Sequence, residues 1–196
     1  MDREVKQRRS INTKFNTRED ESGDKFISGY FVVFGSNYEL WPGATESVDR
    51  GAFDNALEDD IRCLTDHVTH LVLGRTKAET LTLRADEHGL FGEVKINEKD
   101  QDAVNTYERV KRGDVSQCSF GFDILDEEFT EDRETGEVHW TIKAVKLYEV
   151  SVVTFPAYED TGVTARKAEY DAIQKRKRDK WEIDIKRKLK GETNGN

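Results

Sequence analysis

Cysteine is scarce in this 196-residue chain: there are two, Cys63 and Cys118, far apart in sequence. That excludes a disulfide-stapled scaffold and points to a reducing compartment. Long apolar runs are missing too, so no segment reads as a membrane span. The opening, MDREVKQRRSINTKFNTRED, turns from basic to acidic without the apolar stretch of a secretory signal. The expectation is a soluble, intracellular protein. Hydrophobic residues are few, at 35%, against 36% charged. The length suffices for a sizeable core, so the balance implies one compact domain plus segments that never enter it.

Charge is unevenly spread. Residues 166–196 hold eleven Lys and Arg against six Asp and Glu, or +5, which leaves −14 of the chain's net −9 on residues 1–165. An acidic body argues against phosphate-gripping nucleic-acid binding. The basic tail is a solvated helical face or a contact for an acidic partner. Residues 1–22 read as a loose charged arm, 23–165 as the folded domain, and 166–196 as a charged tail, helical or disordered.

Within the domain, KFISGYFVVFGS predicts a buried strand, and DRGAFDNALEDD a short helix capped by Asp49. TLTLRA and LFGEVKI alternate around DEHG, which predicts a hairpin. KDQDAVNTYERVKRG predicts a helix with a stripe of Ala103, Val104, Tyr107 and Val110, ended by Gly113. The body is mostly strand with two or three helices, so the expected fold is α+β: a mostly antiparallel, barrel-like core with flanking helices.

RGDVSQCSFGFDIL holds three hydroxyl or thiol groups, Ser116, Cys118 and Ser119. Side chains alternate along a strand. Cys118, Phe120 and Phe122 share the core face, which makes Cys118 a buried small hydrophobe. Ser119 stands on the other face next to Gly121, where another backbone has room to approach. That position suits a nucleophile, but taken alone it reads more readily as a polar residue on a solvent-facing strand. A serine hydroxyl needs a base. Of four histidines, His88 and His139 lie by polar turns; His67 and His70, in TDHVTHLVLGR between an apolar strand and a Leu-Gly-Arg turn, are better placed. In KAVKLYEVSVVTF both strand faces are largely apolar, so Glu149 is expected to be buried. A buried carboxylate needs a partner, and an imidazole or a local Lys or Arg would serve.

Taken together, these segments resemble the prohead (capsid maturation) serine proteases of tailed bacteriophages, which are similar to the herpesvirus assembly proteases in fold and mechanism. The likeness lies in a histidine seven residues before the glycine of Leu-Gly-Arg, a serine directly before Phe-Gly-Phe, and a strand Glu-Val-Ser-x-Val-x-x-Pro-Ala. GYFVVFGS and ESVDRGAFDNAL match the family's opening, so the likeness covers residues 25–165. The resemblance implies a herpesvirus-protease-like fold and the catalytic set His67, Ser119 and Glu149, with Asp66 as a rival partner for His67 and backbone amides as oxyanion donors. No cofactor or metal is implied. The implied substrates are the major capsid protein or scaffold protein, and the protease itself, inside the prohead in the host cytoplasm. Neither direct nucleic-acid nor membrane binding is implied, and a homo-oligomer is allowed. Two alternatives stand beside this: a non-catalytic capsid-assembly or scaffolding protein of the same fold, and a metal module built on Asp66, His67 and His70.

Overall fold

The computed structural model describes residues 7–155 and 160–189. Among the described residues there are eleven strands: β1 (Gln7–Asn12), β2 (Asn16–Glu19), β3 (Lys25–Val33), β4 (Tyr38–Trp41), β5 (Ala44–Val48), β6 (Arg62–Thr65), β7 (Val72–Arg75), β8 (Leu81–Ala85), β9 (Gly89–Lys95), β10 (Gln117–Glu131) and β11 (Val138–Val153). Helix α1 spans Gln101–Arg112 and helix α2 Asp160–Leu189. The chain divides into two compact units, 1–158 and 159–196.

The strands form a four-stranded sheet, β2-β3-β9-β8, and a seven-stranded sheet ordered β1-β10-β11-β5-β4, with β6 on β11 and β7 on β6. The class is α+β, as expected. Among the described residues the expected barrel does not close, because the large sheet ends at β1 and β4 and the small one at β2 and β8. The long strand β11 organises the large sheet. It pairs antiparallel with β10 along its length, and on its other side it pairs in parallel with β5 at Val138–Ile142 and with β6 at Glu149–Val152. Val150 and Val152 on one of its faces and Ser151 and Val153 on the other are all buried, so both faces are covered there and are largely apolar.

Local signals account for most elements. Asp100 caps α1 through the Asp102 and Ala103 amides, and Gly113 ends the helix at φ 89°. Ala103, Tyr107 and Val110 are buried with Phe31, Phe53, Phe120, Phe122, Val150 and Val152 in one core. Asp49 accepts from the Gly51 amide at 2.9 Å and starts a one-turn 3-10 helix, Arg50–Phe53, shorter than the helix its apolar spacing suggests.

Two further expectations are corrected. The loose arm of residues 1–22 contains β1 and β2, each held by a ladder to β10 or β3. Its first six residues lie outside the described ones. Leu-Gly-Arg is part of strand β7 and not a turn. A Cβ on Gly74 would meet the Thr80 carbonyl oxygen at 2.6 Å, so the motif's glycine permits close backbone approach. In the second unit, α2 carries i,i+3 and i,i+4 ion pairs, Arg166–Glu169 and Glu182–Lys186, and leaves Trp181 and Ile183 exposed. Residues 190–196 lie outside the described ones.

Candidate active site

The register of three strands builds the site. Ser119 of β10 lies opposite Ser151 of β11, which lies opposite Leu64 of β6. Gly121 lies opposite Glu149. Directly paired residues share a face, so Ser119, Ser151 and Glu149 stand on the same side of the sheet. Gly121 puts no side chain beside Glu149 on that face. Cys118, Phe120 and Phe122 take the opposite face and are fully buried, as the strand phase predicts.

His67 follows β6 by two residues. Asp66 and His67 are both left-handed, with φ of 49° and 60°. Two successive non-glycine residues in this region are strained and persist only when their surroundings hold them. Here the ladder is extended by the Asp66 amide, which donates to the Val152 carbonyl at 2.9 Å. The Asp66 carboxylate accepts from the Thr154 amide at 2.6 Å and from the Thr154 hydroxyl at 3.0 Å. The turn is thus pinned to the end of β11, four residues from the acid its histidine meets.

That acid is Glu149. His67 Nδ1 lies 2.7 Å from Glu149 Oε1, and Ser151 Oγ donates to Glu149 Oε2 at 2.5 Å. Glu149 is 2% exposed. The two contacts answer how this buried carboxylate is satisfied, and Asp66 is engaged elsewhere. A carboxylate at Nδ1 fixes that nitrogen as the donor and leaves Nε2 as a base. Nε2 is buried and has no hydrogen-bond partner among the described residues. The same carboxylate adds to burial in pushing the Cys63 thiol above its ordinary pKa, which keeps that cysteine inert.

The hydroxyl of Ser119 is fully buried and donates to the Arg9 carbonyl of β1 at 2.9 Å. It is therefore turned toward the neighbouring strand and not bonded to His67. Beside the His67 turn opens a cavity of about 410 Å³, lined by Thr65, Asp66, Thr106, Arg109, Asp114, Val115, Val152 and Thr154.

The remaining candidates fall away from this arrangement. Ser116 is exposed at the strand entry, and Cys118 Sγ points to the Tyr30 carbonyl at 3.2 Å. His70 is exposed, His88 packs edge-on against Tyr30, and His139 bonds Thr45 and Ser47 with its two ring nitrogens. Among the described residues no three His, Cys, Asp or Glu are grouped to hold a metal ion. Sequence reasoning missed Ser151, although the two-residue period already puts it beside Glu149. It also missed the Asp66–Thr154 clamp and the strand over Ser119. The motif's Pro156 and Ala157 lie outside the described residues.

A buried carboxylate behind an imidazole, on the sheet face that carries a serine, is the equipment of a serine protease. The chain belongs to the caudovirus prohead serine protease family, whose model matches residues 13–176. It is 28% identical over 153 residues to the prohead protease of Enterobacteria phage HK97, covering 76% of this chain and 67% of that protein. It is 34% identical over 87 residues to the prohead protease of Escherichia phage T5, covering 44% and 39% respectively. No solved structure gives a significant match to the chain. Among the described residues no helix is long and apolar enough to cross a membrane.

Proposed function

We propose that this protein is a serine endopeptidase that cleaves capsid or scaffold protein, and itself, inside the prohead during capsid maturation. The observation that carries the reading is the 2.7 Å contact of His67 Nδ1 with buried Glu149, with Nε2 left unbonded among the described residues. Ser119 is the nucleophile. A rotation about its χ1 releases the hydroxyl from the Arg9 carbonyl and offers its proton to His67 Nε2. Oγ then bonds to the substrate carbonyl carbon while the proton passes to the imidazole, and Glu149 stabilises the imidazolium. The proton next goes to the leaving amine, whose bond to the acyl carbon breaks. Water repeats the sequence to free the acid and restore Ser119. Backbone amides hold the oxyanion, an effect worth about 3–4 kcal/mol of barrier per donor. The kinship to herpesvirus assembly proteases belongs to the same reading.

The test is co-expression with the cognate capsid protein, comparing wild type with Ser119→Ala by intact mass. Wild type is expected to shorten the capsid protein or scaffold, and Ser119→Ala to leave both whole. Labelling of wild type, but not of Ser119→Ala, by a fluorophosphonate is the second expected result. Uncut partners together with no label would leave a non-catalytic assembly protein as the better reading.

A further inference from the structure

β1 occupies an unusual place. It is an edge strand running antiparallel to β10, with Ser10 opposite Ser119, and its Arg9 carbonyl takes the Ser119 hydroxyl at 2.9 Å. An extended peptide bound by strand addition beside a nucleophile would use this same ladder. The contact is unproductive as it stands. Attack needs the Oγ lone pair on the carbonyl carbon and the Oγ proton on His67, whereas here the proton faces the carbonyl oxygen.

The Arg9 side chain alternates to the other face, where it is 1% exposed. Its Nε and Nη2 form a two-pronged ion pair with Glu46, the second arm at 2.9 Å, and Glu46 is fully buried. Nη1 donates to the Arg8 carbonyl at 2.9 Å and lies 3.4 Å from Gln7 Oε1. The guanidinium also sits 5.9 Å from the centroid of the Phe122 ring. A buried carboxylate cannot lose its cation without a large cost, so whatever displaces β1 must bring another. A planar two-pronged contact suits a guanidinium best and an ammonium second.

We infer that the outer edge of β10 at Gln117–Phe122, now held by β1, is the substrate lane, and that Glu46 is its specificity residue. Glu46 takes an Arg or Lys side chain from the substrate residue whose carbonyl lies at Ser119. β1 is a built-in occupant of this lane, which a substrate strand replaces by exchanging one basic side chain for another. The inference rests on the protease reading, since it names which bond Ser119 meets.

Two measurements test it on the full chain, using a peptide copied from residues 4–15 and the same peptide with norleucine in place of Arg9. In the first, wild type is expected to cut the arginine peptide at least tenfold faster in kcat/KM than the norleucine peptide. Glu46→Gln is expected to erase that ratio. In the second, amide exchange of residues 7–12 is followed in Ser119→Ala, which needs neither turnover nor an altered Glu46. The arginine peptide is expected to speed that exchange at least tenfold, and the norleucine peptide to leave it unchanged. Equal turnover of both peptides by wild type, or β1 exchange indifferent to the basic side chain, overturns the inference. Accelerated β1 exchange with no turnover of either peptide, and no fluorophosphonate label, overturns the protease reading and leaves the lane and Glu46 standing.

Discussion

Ser119 and Ser151 lie opposite each other across β10 and β11, and their hydroxyls bond in different directions. Ser151 Oγ donates to Glu149 Oε2 at 2.5 Å, and Ser119 Oγ to the Arg9 carbonyl at 2.9 Å. The first hydroxyl braces the acid; the second is held by the edge strand β1.

The nucleophile assignment separates from its neighbours by mutation. Ser119→Ala is expected to abolish peptide cleavage while costing only about 1 kcal/mol of stability, the worth of one neutral hydrogen bond. Cys118→Ala is expected to retain activity and lose about 1 kcal/mol of core packing, and Ser116→Ala to change neither. Peptide hydrolysis and thermal melts of the three variants check this, and a fully dead but folded Cys118→Ala would contradict it.

Glu149 and Ser151 should rank in order. Glu149→Gln can favour the wrong imidazole tautomer and is expected to lower kcat on the order of 10³–10⁴-fold. Ser151→Ala removes one hydrogen bond to a charged group, about 1.5–3 kcal/mol, and is expected to lower kcat/KM about 10–100-fold. Steady-state kinetics on a peptide substrate read both, and Ser151→Thr is expected to restore part of the loss by keeping the donor.

Asp66 acts on backbone shape. Asp66→Asn keeps one oxygen for Thr154, so its effect on kcat is expected to be within about tenfold, the scale of one weakened hydrogen bond. Asp66→Ala removes both acceptors from the strained turn and is expected to cost more in rate and in melting temperature. A loss for Asp66→Asn exceeding that of Glu149→Gln would move the orienting role to Asp66.

Gly74 leaves no room for a side chain, since an added Cβ would meet the Thr80 carbonyl oxygen and the Val94 side chain. Gly74→Ala is expected to destabilise the protein by about 2–3 kcal/mol. Thermal unfolding measures this, and an unchanged melting temperature would contradict it.

Acid should loosen the strands leading into the His67 turn. Asp60 hydrogen-bonds Arg75, with Arg62 nearby, and these contacts lower its pKa from 3.8 to about 2 against the opposing effect of desolvation. The unfolded chain therefore binds the proton first. The stabilisation is whole above about pH 4 and is lost as pH falls through about 2. Melting temperature against pH is expected to fall more steeply over that window in wild type than in Asp60→Asn.

Much of this was legible before any coordinates. Alternation located the β8–β9 hairpin, caps and a stripe located α1, and period two alone put Cys118 and Ser119 on opposite faces. The apolar context of Glu149 called for a partner, and His67 is it. What stayed hidden depends on distant pairing. Gln7–Asn12 has a single apolar residue, Ile11, too little to announce a strand; it is held by the partner strand and by the Arg9–Glu46 pair. Two sheets and a barrel differ only in which edges meet. Leu-Gly-Arg looked like a turn because glycine marks both turns and close strand contacts.

One further consequence comes from β11. It carries Glu149 and Ser151, aligns β10 for Ser119, and is the rail on which β6 sets the His67 turn. Yet among the described residues it is the last strand to be synthesised. On the proposed assignment, a ribosome that has made His67 and Ser119 has yet to make the acid that completes the set. On that reading, the nascent polypeptide stays harmless to everything around it until β11 emerges and docks.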